Sequence, residues 1–218
     1  MFRRVLVRIG FRGVILAAAG LGVAVAGCSS SSSSSSASAP AFLVPSSAPA
    51  QAATRTDPCT TTISNQTVGT VFVPAGQTCT LNNVTVHGSI TDYGTLNLTT
   101  SAAIGGNVVA EQGSTLIESG PTTVTIEGNL TTNGPLKSSF TSDYVRGNVT
   151  AENTFNAWVT DTHVGGSVFF LNNGSGGLIN GNTVAGNINC SGNATDPTNG
   201  GQPNTVHGHE TGQCAGLH

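Results

Sequence analysis

Ile126-Glu127-Gly128-Asn129-Leu130 returns nineteen residues later as Val145-Arg146-Gly147-Asn148-Val149. The pattern is a branched aliphatic, any residue, Gly, Asn or Ser, then an aliphatic. It occurs earlier as Val86-His87-Gly88-Ser89-Ile90 and Ile104-Gly105-Gly106-Asn107-Val108. It occurs later as Val164-Gly165-Gly166-Ser167-Val168 and Val184-Ala185-Gly186-Asn187-Ile188, with a degenerate copy at Val206-His207-Gly208-His209. The glycines are spaced by 18, 22, 19, 19, 20 and 22 residues.

A period near 20 with one short β signature per copy is what a parallel β-helix needs. No coil can bury its own apolar face, but stacked coils share a continuous interior. The two aliphatics around each glycine are expected to point inward. Gly-Asn is expected at a bend, where positive φ is cheap for Gly and tolerable for Asn. No stretch carries helical amphipathicity; period-two alternation dominates, as in Thr123-Val124-Thr125-Ile126. An antiparallel sandwich with Gly-Asn turns needs turn signals every 8–12 residues, and the motif returns at twice that interval. The expectation is therefore an all-β, single-domain, right-handed parallel β-helix of about 6–7 coils over 57–218. At ~4.8 Å per coil it is roughly 30 Å long. Unequal spacings favour right-handed coils with variable turns.

Outside the repeats, residues 1–13 hold Arg3, Arg4, Arg8 and Arg12 and no acid, and Val14 to Ala26 run apolar. That length suits a signal peptide, since a membrane span needs roughly 20 residues. The run ends in Val25-Ala26-Gly27-Cys28, which resembles the bacterial lipobox. The resemblance implies cleavage after residue 27 and a diacylglycerol on Cys28. Two acyl chains suffice as an anchor. Residues 28–56 follow as a tether, opening on an unbroken serine run from Ser29 to Ser36 and continuing in Ala, Pro and Ser.

With residues 1–27 removed, three cations (Arg55, Lys137, Arg146) face ten acids, a balance of −7. That argues against nucleic acid as a partner. The remaining cysteines, Cys59, Cys79, Cys190 and Cys214, are even in number in an exported chain and read as two disulfides. Of three pairings, Cys59–Cys79 and Cys190–Cys214 are favoured because each ties down one end. Open β-helix ends expose strand edges, so caps belong there. No Cys-x-x-Cys occurs, and His207 with His209 is a single close pair, so no metal and no cofactor are expected.

The segment Gly181-Asn182-Thr183-Val184-Ala185-Gly186-Asn187-Ile188-Asn189-Cys190, with Asn204-Thr205-Val206 and Gln213-Cys214-Ala215, resembles the C-terminal end of small secreted repeat proteins of high-GC Gram-positive bacteria. Val73-Pro74-Ala75-Gly76-Gln77-Thr78-Cys79-Thr80-Leu81 resembles their N-terminal entry. The resemblance covers roughly 59–215 and implies the fold and an extracytoplasmic location, but no reaction. The chain departs from it at 131–162, which carries Phe140, Phe155 and Trp158.

Columns of equivalent residues place the candidate chemistry. Glu111 and Glu152 both stand five residues after a motif glycine, two coils apart. Their ~9.5 Å separation touches the upper limit for an inverting glycosidase pair. Glu127 and Arg146 precede adjacent motif glycines and are expected to pair. Asp143, Asp161 and His163 lie near one edge and, with Ser138, Ser139 or Ser142, imitate a hydrolase triad without a nucleophile elbow. Tyr93, Trp158, Phe169 and Phe170 form a candidate binding surface, one of the adjacent phenylalanines necessarily facing outward if they lie in a strand.

The sequence thus reads as a lipid-anchored, extracytoplasmic cell-envelope protein, a non-catalytic structural or binding scaffold. Its partners are the membrane, through the lipid on Cys28, and a cell-wall glycan or envelope protein. The alternative is a carbohydrate-active enzyme using Glu111 and Glu152.

Overall fold

A computed structural model describes residues 58–118, 123–141 and 143–218. The signal peptide, Cys28 and the tether lie outside the described residues.

The described chain is all-β: three sheets, each built only of parallel pairs one coil apart. The first sheet runs from Thr62–Ser64 through Thr78–Asn82, Thr95–Leu98, Thr115–Glu118, Lys137–Thr141 and Asn156–Thr160 to Leu178–Asn180. The second begins at Thr67–Val68 and ends at Thr205–Val206; the third begins at Val71–Val73 and ends at Glu210–Gly212. The second and third sheets have eight strands each, and a lone bridge from Leu178 to Thr198 supplies the eighth step of the first. The result is a β-solenoid of eight coils. The extra coil is the first, where Val68 and Val71 take the places of Val86 and Ile90. Only Gly69 and Thr70 lie between them, so this bend is one residue short of the repeat and lacks its Asn or Ser.

Alternation fills the interior. Val86, Ile104, Ile126, Val145, Val164 and Val184 form one fully buried column. Val71, Ile90, Val108, Leu130, Val149, Val168 and Ile188 form another. These are the aliphatics that flank the motif glycines. Where the interior takes Phe140 and Phe170, the first sheet's inward residues shrink to Ser138, Ala157 and Gly177. A Cβ on Gly177 would strike the Phe170 ring. This exchange keeps the coils regular across 131–162.

The three corners use different chemistry. Positive φ occurs where the first sheet meets its neighbours, at Asn65, Asn83, Asp161 and Gly181 on one side and at Gly113, Gly134, Asn153, Asn172 and Gly192 on the other. The motif glycines, between the second and third sheets, are absent from that set. The expectation of positive φ there is corrected: glycine is required by lack of room. Each motif glycine donates its N–H to the equivalent glycine's carbonyl one coil below, as from Gly128 to Gly106 (3.1 Å), Gly147 to Gly128 (3.0 Å) and Gly166 to Gly147 (2.9 Å). A Cβ on Gly166 would meet the Gly147 carbonyl oxygen at 2.8 Å and the Asn148 side-chain oxygen at closer range.

The following Asn or Ser forms a second ladder. Asn107 Oδ1 accepts the N–H of Asn129, Asn129 Oδ1 that of Asn148, and Asn148 Oδ1 that of Ser167, each at 2.8 Å. Ser167 Oγ accepts the N–H of Asn187 at 3.0 Å. The repeat's Asn/Ser choice thus selects a short oxygen acceptor for the next coil's backbone.

Both disulfides join the favoured pairs. Cys59–Cys79 has Cα atoms 5.3 Å apart and Cys190–Cys214 5.2 Å. Each links adjacent coils at one end. Beyond Cys214 the chain crosses the last coil and buries Leu217 there, with the Leu217 carbonyl accepting the N–H of Asn204 (3.1 Å).

Candidate functional site

Glu111 and Glu152 occupy one column, as the repeat count requires. Asn133 stands between them, in register with Glu152; Glu111 follows Ala110, the register partner of Thr132. Both are half-buried residues on the outer side of the corner between the third and first sheets. Their inward neighbours, Ala110 and Ala151, face the core. The two glutamates therefore share one column, two coils apart. A described depression of about 390 Å³ lies elsewhere, at the C-terminal end against His209, Glu210 and His218.

Glu127 and Arg146 pair at 3.0 Å across adjacent coils, with both side chains largely in solvent. Such a pair contributes at most a few tenths of a kcal/mol to ~1 kcal/mol. The residues of the triad-like edge separate. Asp143 and Ser138 point into the core. Ser139 faces outward on the first sheet, opposite Trp158 in register. His163 is exposed and stacks on Tyr144, ring centroids 5.2 Å apart and 11° from parallel. Ser142 lies outside the described residues. Among the described residues no group of three or more His, Cys, Asp and Glu is arranged to hold a metal ion.

Two carboxyls are buried in the interior. Asp92 replaces an aliphatic between Val73 and Ala110. Its Oδ1 accepts the Gly94 N–H at 2.9 Å, and burial raises its pKa from 3.8 to about 6, against the opposing N–H groups of Gly94 and Leu96. Asp143 lies at the corner between the first and second sheets, where Oδ1 accepts the Val124 N–H at 2.9 Å. Both hold structural positions facing away from solvent, where no substrate reaches them.

The candidate aromatic surface is redrawn. Phe170 is fully buried and leaves it; alternation turns its neighbour Phe169 outward, half-buried, between Thr150 and Asn189. Tyr93 is exposed at a corner in coil 2, tilted against Phe72 at 5.8 Å. Trp158 stands outward on the first sheet in coil 6, with Lys137 Nζ 5.1 Å from its ring centroid. Tyr93, Trp158 and Phe169 do not share one face.

Trp158 instead has other company. Leu136 is 62 % exposed and Phe155 58 %, against 39 % for Trp158. Leu136 and Phe155 precede Lys137 and Asn156, which are register partners on adjacent coils. Along this edge of the first sheet lie Leu136, Phe155, Trp158 and the Lys137 ammonium, with Asn156 and Ser139 between them. Counting by twos places Leu136 with Ser138 and Phe140 inside. The strand begins at Lys137, so the corner breaks the alternation and leaves the side chain in water.

Fold and surface together define a disulfide-capped parallel β-solenoid with hydrogen-bond ladders between coils, and Leu136, Phe155 and Trp158 exposed along an edge of the first sheet. Comparison with protein-family models, curated proteins and solved structures found no match.

Proposed function

We propose that the chain is a lipid-anchored, extracytoplasmic scaffold of the cell envelope that binds a ligand without transforming it. The observation that carries this reading is the exposure of Leu136, Phe155 and Trp158 along one edge of the first sheet, on adjacent coils. Large apolar groups held in water on a regular surface mark a contact site. Trp158, flanked by the polar side chains of Ser139 and Asn156 and by Lys137, suits a sugar ring, which offers C–H groups to an aromatic face and hydroxyls to its surroundings. The favoured partner is thus a cell-wall glycan. The two disulfides agree with an oxidising compartment, and Cys28 supplies the anchor.

The second reading, a glycoside hydrolase on Glu111 and Glu152, is favoured by their common column and two-coil spacing. A glycan array probed with the full-length protein, run beside a reducing-sugar assay on the same glycans, separates the two. The scaffold reading expects retention on the array with no new reducing ends. Release of reducing ends that disappears in Glu111→Gln or Glu152→Gln would replace it with the enzyme. For the anchor, Cys28→Ala is expected to move the protein from the membrane to the soluble fraction and to abolish incorporation of labelled palmitate. Unchanged membrane recovery refutes lipid attachment at that residue.

A further inference from the structure

The corner between the first and second sheets is closed from inside by one residue per coil. In register these are Val124, Asp143, Thr162, Asn182 and Asn204. The two asparagines show what the position asks of a side chain. Asn182 Oδ1 accepts the N–H of Thr162 at 2.9 Å, and Asn204 Oδ1 accepts that of Asn182 at 3.1 Å. Their Nδ2 atoms donate to carbonyls in the first-sheet strand one coil below, Val159 O at 2.9 Å and Ile179 O at 2.8 Å. One atom accepts and the other donates.

Asp143 performs the accepting half toward Val124 N. Its other oxygen, Oδ2, is buried and accepts no hydrogen bond among the described residues, the nearby Thr141 N–H being directed to Glu118. The strand residue one coil below, by the same register, is Glu118. The Glu118 carboxylate is anchored there, with Oε2 accepting the Thr141 N–H at 2.7 Å. Two acceptors face each other where the repeat elsewhere sets a donor against an acceptor.

We propose that Asp143 keeps a proton at neutral pH and donates it from Oδ2 to Glu118, so that a shared proton ties coil 5 to coil 4, and alkali loosens that corner. An ionised carboxylate only accepts; a protonated one gains an O–H donor. The proton lets an aspartate do an asparagine's work.

Burial and the neighbouring Glu118 push the Asp143 carboxyl up to about 9, against the opposing N–H groups of Val124 and Thr141. Other ionisable groups on the surrounding elements point away. Lys137, at the far end of its strand, lies over Trp158. Tyr144 and His163 stack on the outer face, Asp161 is exposed at the same corner one coil above, and Arg146 pairs with Glu127 in solvent. Residues 119–122 (Ser-Gly-Pro-Thr) and Ser142 carry no ionisable side chain.

The folded state holds this proton above pH 3.8, where the unfolded chain releases it, so this group's contribution to stability falls as pH rises toward about 9. The full-length protein in neutral detergent is compared with Asp143→Asn. Infrared spectroscopy at pH 8, where Asp92 is ionised, is expected to show a protonated-carboxyl stretch in the parent that Asp143→Asn lacks. From pH 5 to pH 8 the parent's unfolding constant in urea is expected to rise at least about tenfold relative to Asp143→Asn, the ceiling being about tenfold per unit. Should Asp143→Asn fail to fold, Glu118→Gln is expected to move the titration of the parent's infrared band to lower pH. Absence of that band at pH 8, parallel urea profiles, or a band indifferent to Glu118→Gln would overturn the proposal.

Discussion

At the scale of single residues, the ladders make opposite demands on glycines that look alike in sequence. Gly128 has no room for a Cβ, since the Gly106 carbonyl oxygen lies 2.7 Å from that point. Gly113 has open space, but its φ is +80°. Gly128→Ala is expected to cost ~1–3 kcal/mol through forced displacement of coil 3. Gly113→Ala is expected to cost ~1–2 kcal/mol through backbone strain alone. Urea unfolding measures both, and hydrogen exchange tells them apart, because only Gly128→Ala should expose amides of the coil below. Asn148→Ser should be nearly silent, because Ser89 and Ser167 serve the same ladder. Asn148→Ala should cost ~1 kcal/mol by orphaning the Ser167 N–H. A pH prediction follows from Asp92. Its folded-state value is raised, so its contribution to stability is greatest below pH 3.8 and is lost as pH climbs through about 6. Asp92→Asn should flatten the stability curve in that window and leave it unchanged above. The positions of these glycines were plain in the sequence. Their physical reason was not, because the obstacle to a Cβ is an atom supplied by another coil.

At the scale of elements, the repeat disclosed every coil whose bend has three residues between its aliphatics. It missed the coil at Val68-Gly69-Thr70-Val71, whose bend has two. Inward faces were legible for the aliphatics that flank the motif glycines, but for Phe169 and Phe170 only that one of the two turns outward, and the structure shows that it is Phe169. Faces were illegible at strand ends, where Leu136 and Phe155 leave the alternation and stand exposed. The cap was legible from the cysteines alone, although its plug, Leu217, was not. The structure adds that Glu210 fastens the tail, with Oε2 accepting the N–H groups of Gly216 (3.1 Å) and His218 (3.2 Å). Replacing Cys190 and Cys214 together by serine is expected to cost ~3 kcal/mol in the chain-entropy model. Hydrogen exchange should then quicken first in residues 205–218. Uniform loss of protection along the whole solenoid would show instead that the last coil does not unfold as a separate unit.

At the scale of the whole molecule, the interior and the surface divide the labour. Inward residues fill columns or close corners, and two of them, Asp92 and Asp143, are acids whose carboxyls accept backbone N–H groups and are pushed up by burial. The chemistry available to a ligand lies on the outer faces, where Glu111, Glu152, Tyr93 and the Leu136–Phe155–Trp158 edge are spread over a ladder of fixed spacing. A linear polymer suits such a surface better than a small substrate, because the coils repeat along one axis. The central claim is that the apolar edge, and not the glutamate column, engages the ligand. The most direct measurement is the affinity of full-length protein for purified cell-wall glycan, comparing Phe155→Ala/Trp158→Ala with Glu111→Gln/Glu152→Gln. At least a tenfold loss is expected in the aromatic double variant at unchanged urea stability, with parental affinity in the glutamate variant. Parental affinity in the aromatic variant with loss in the glutamate variant would contradict it.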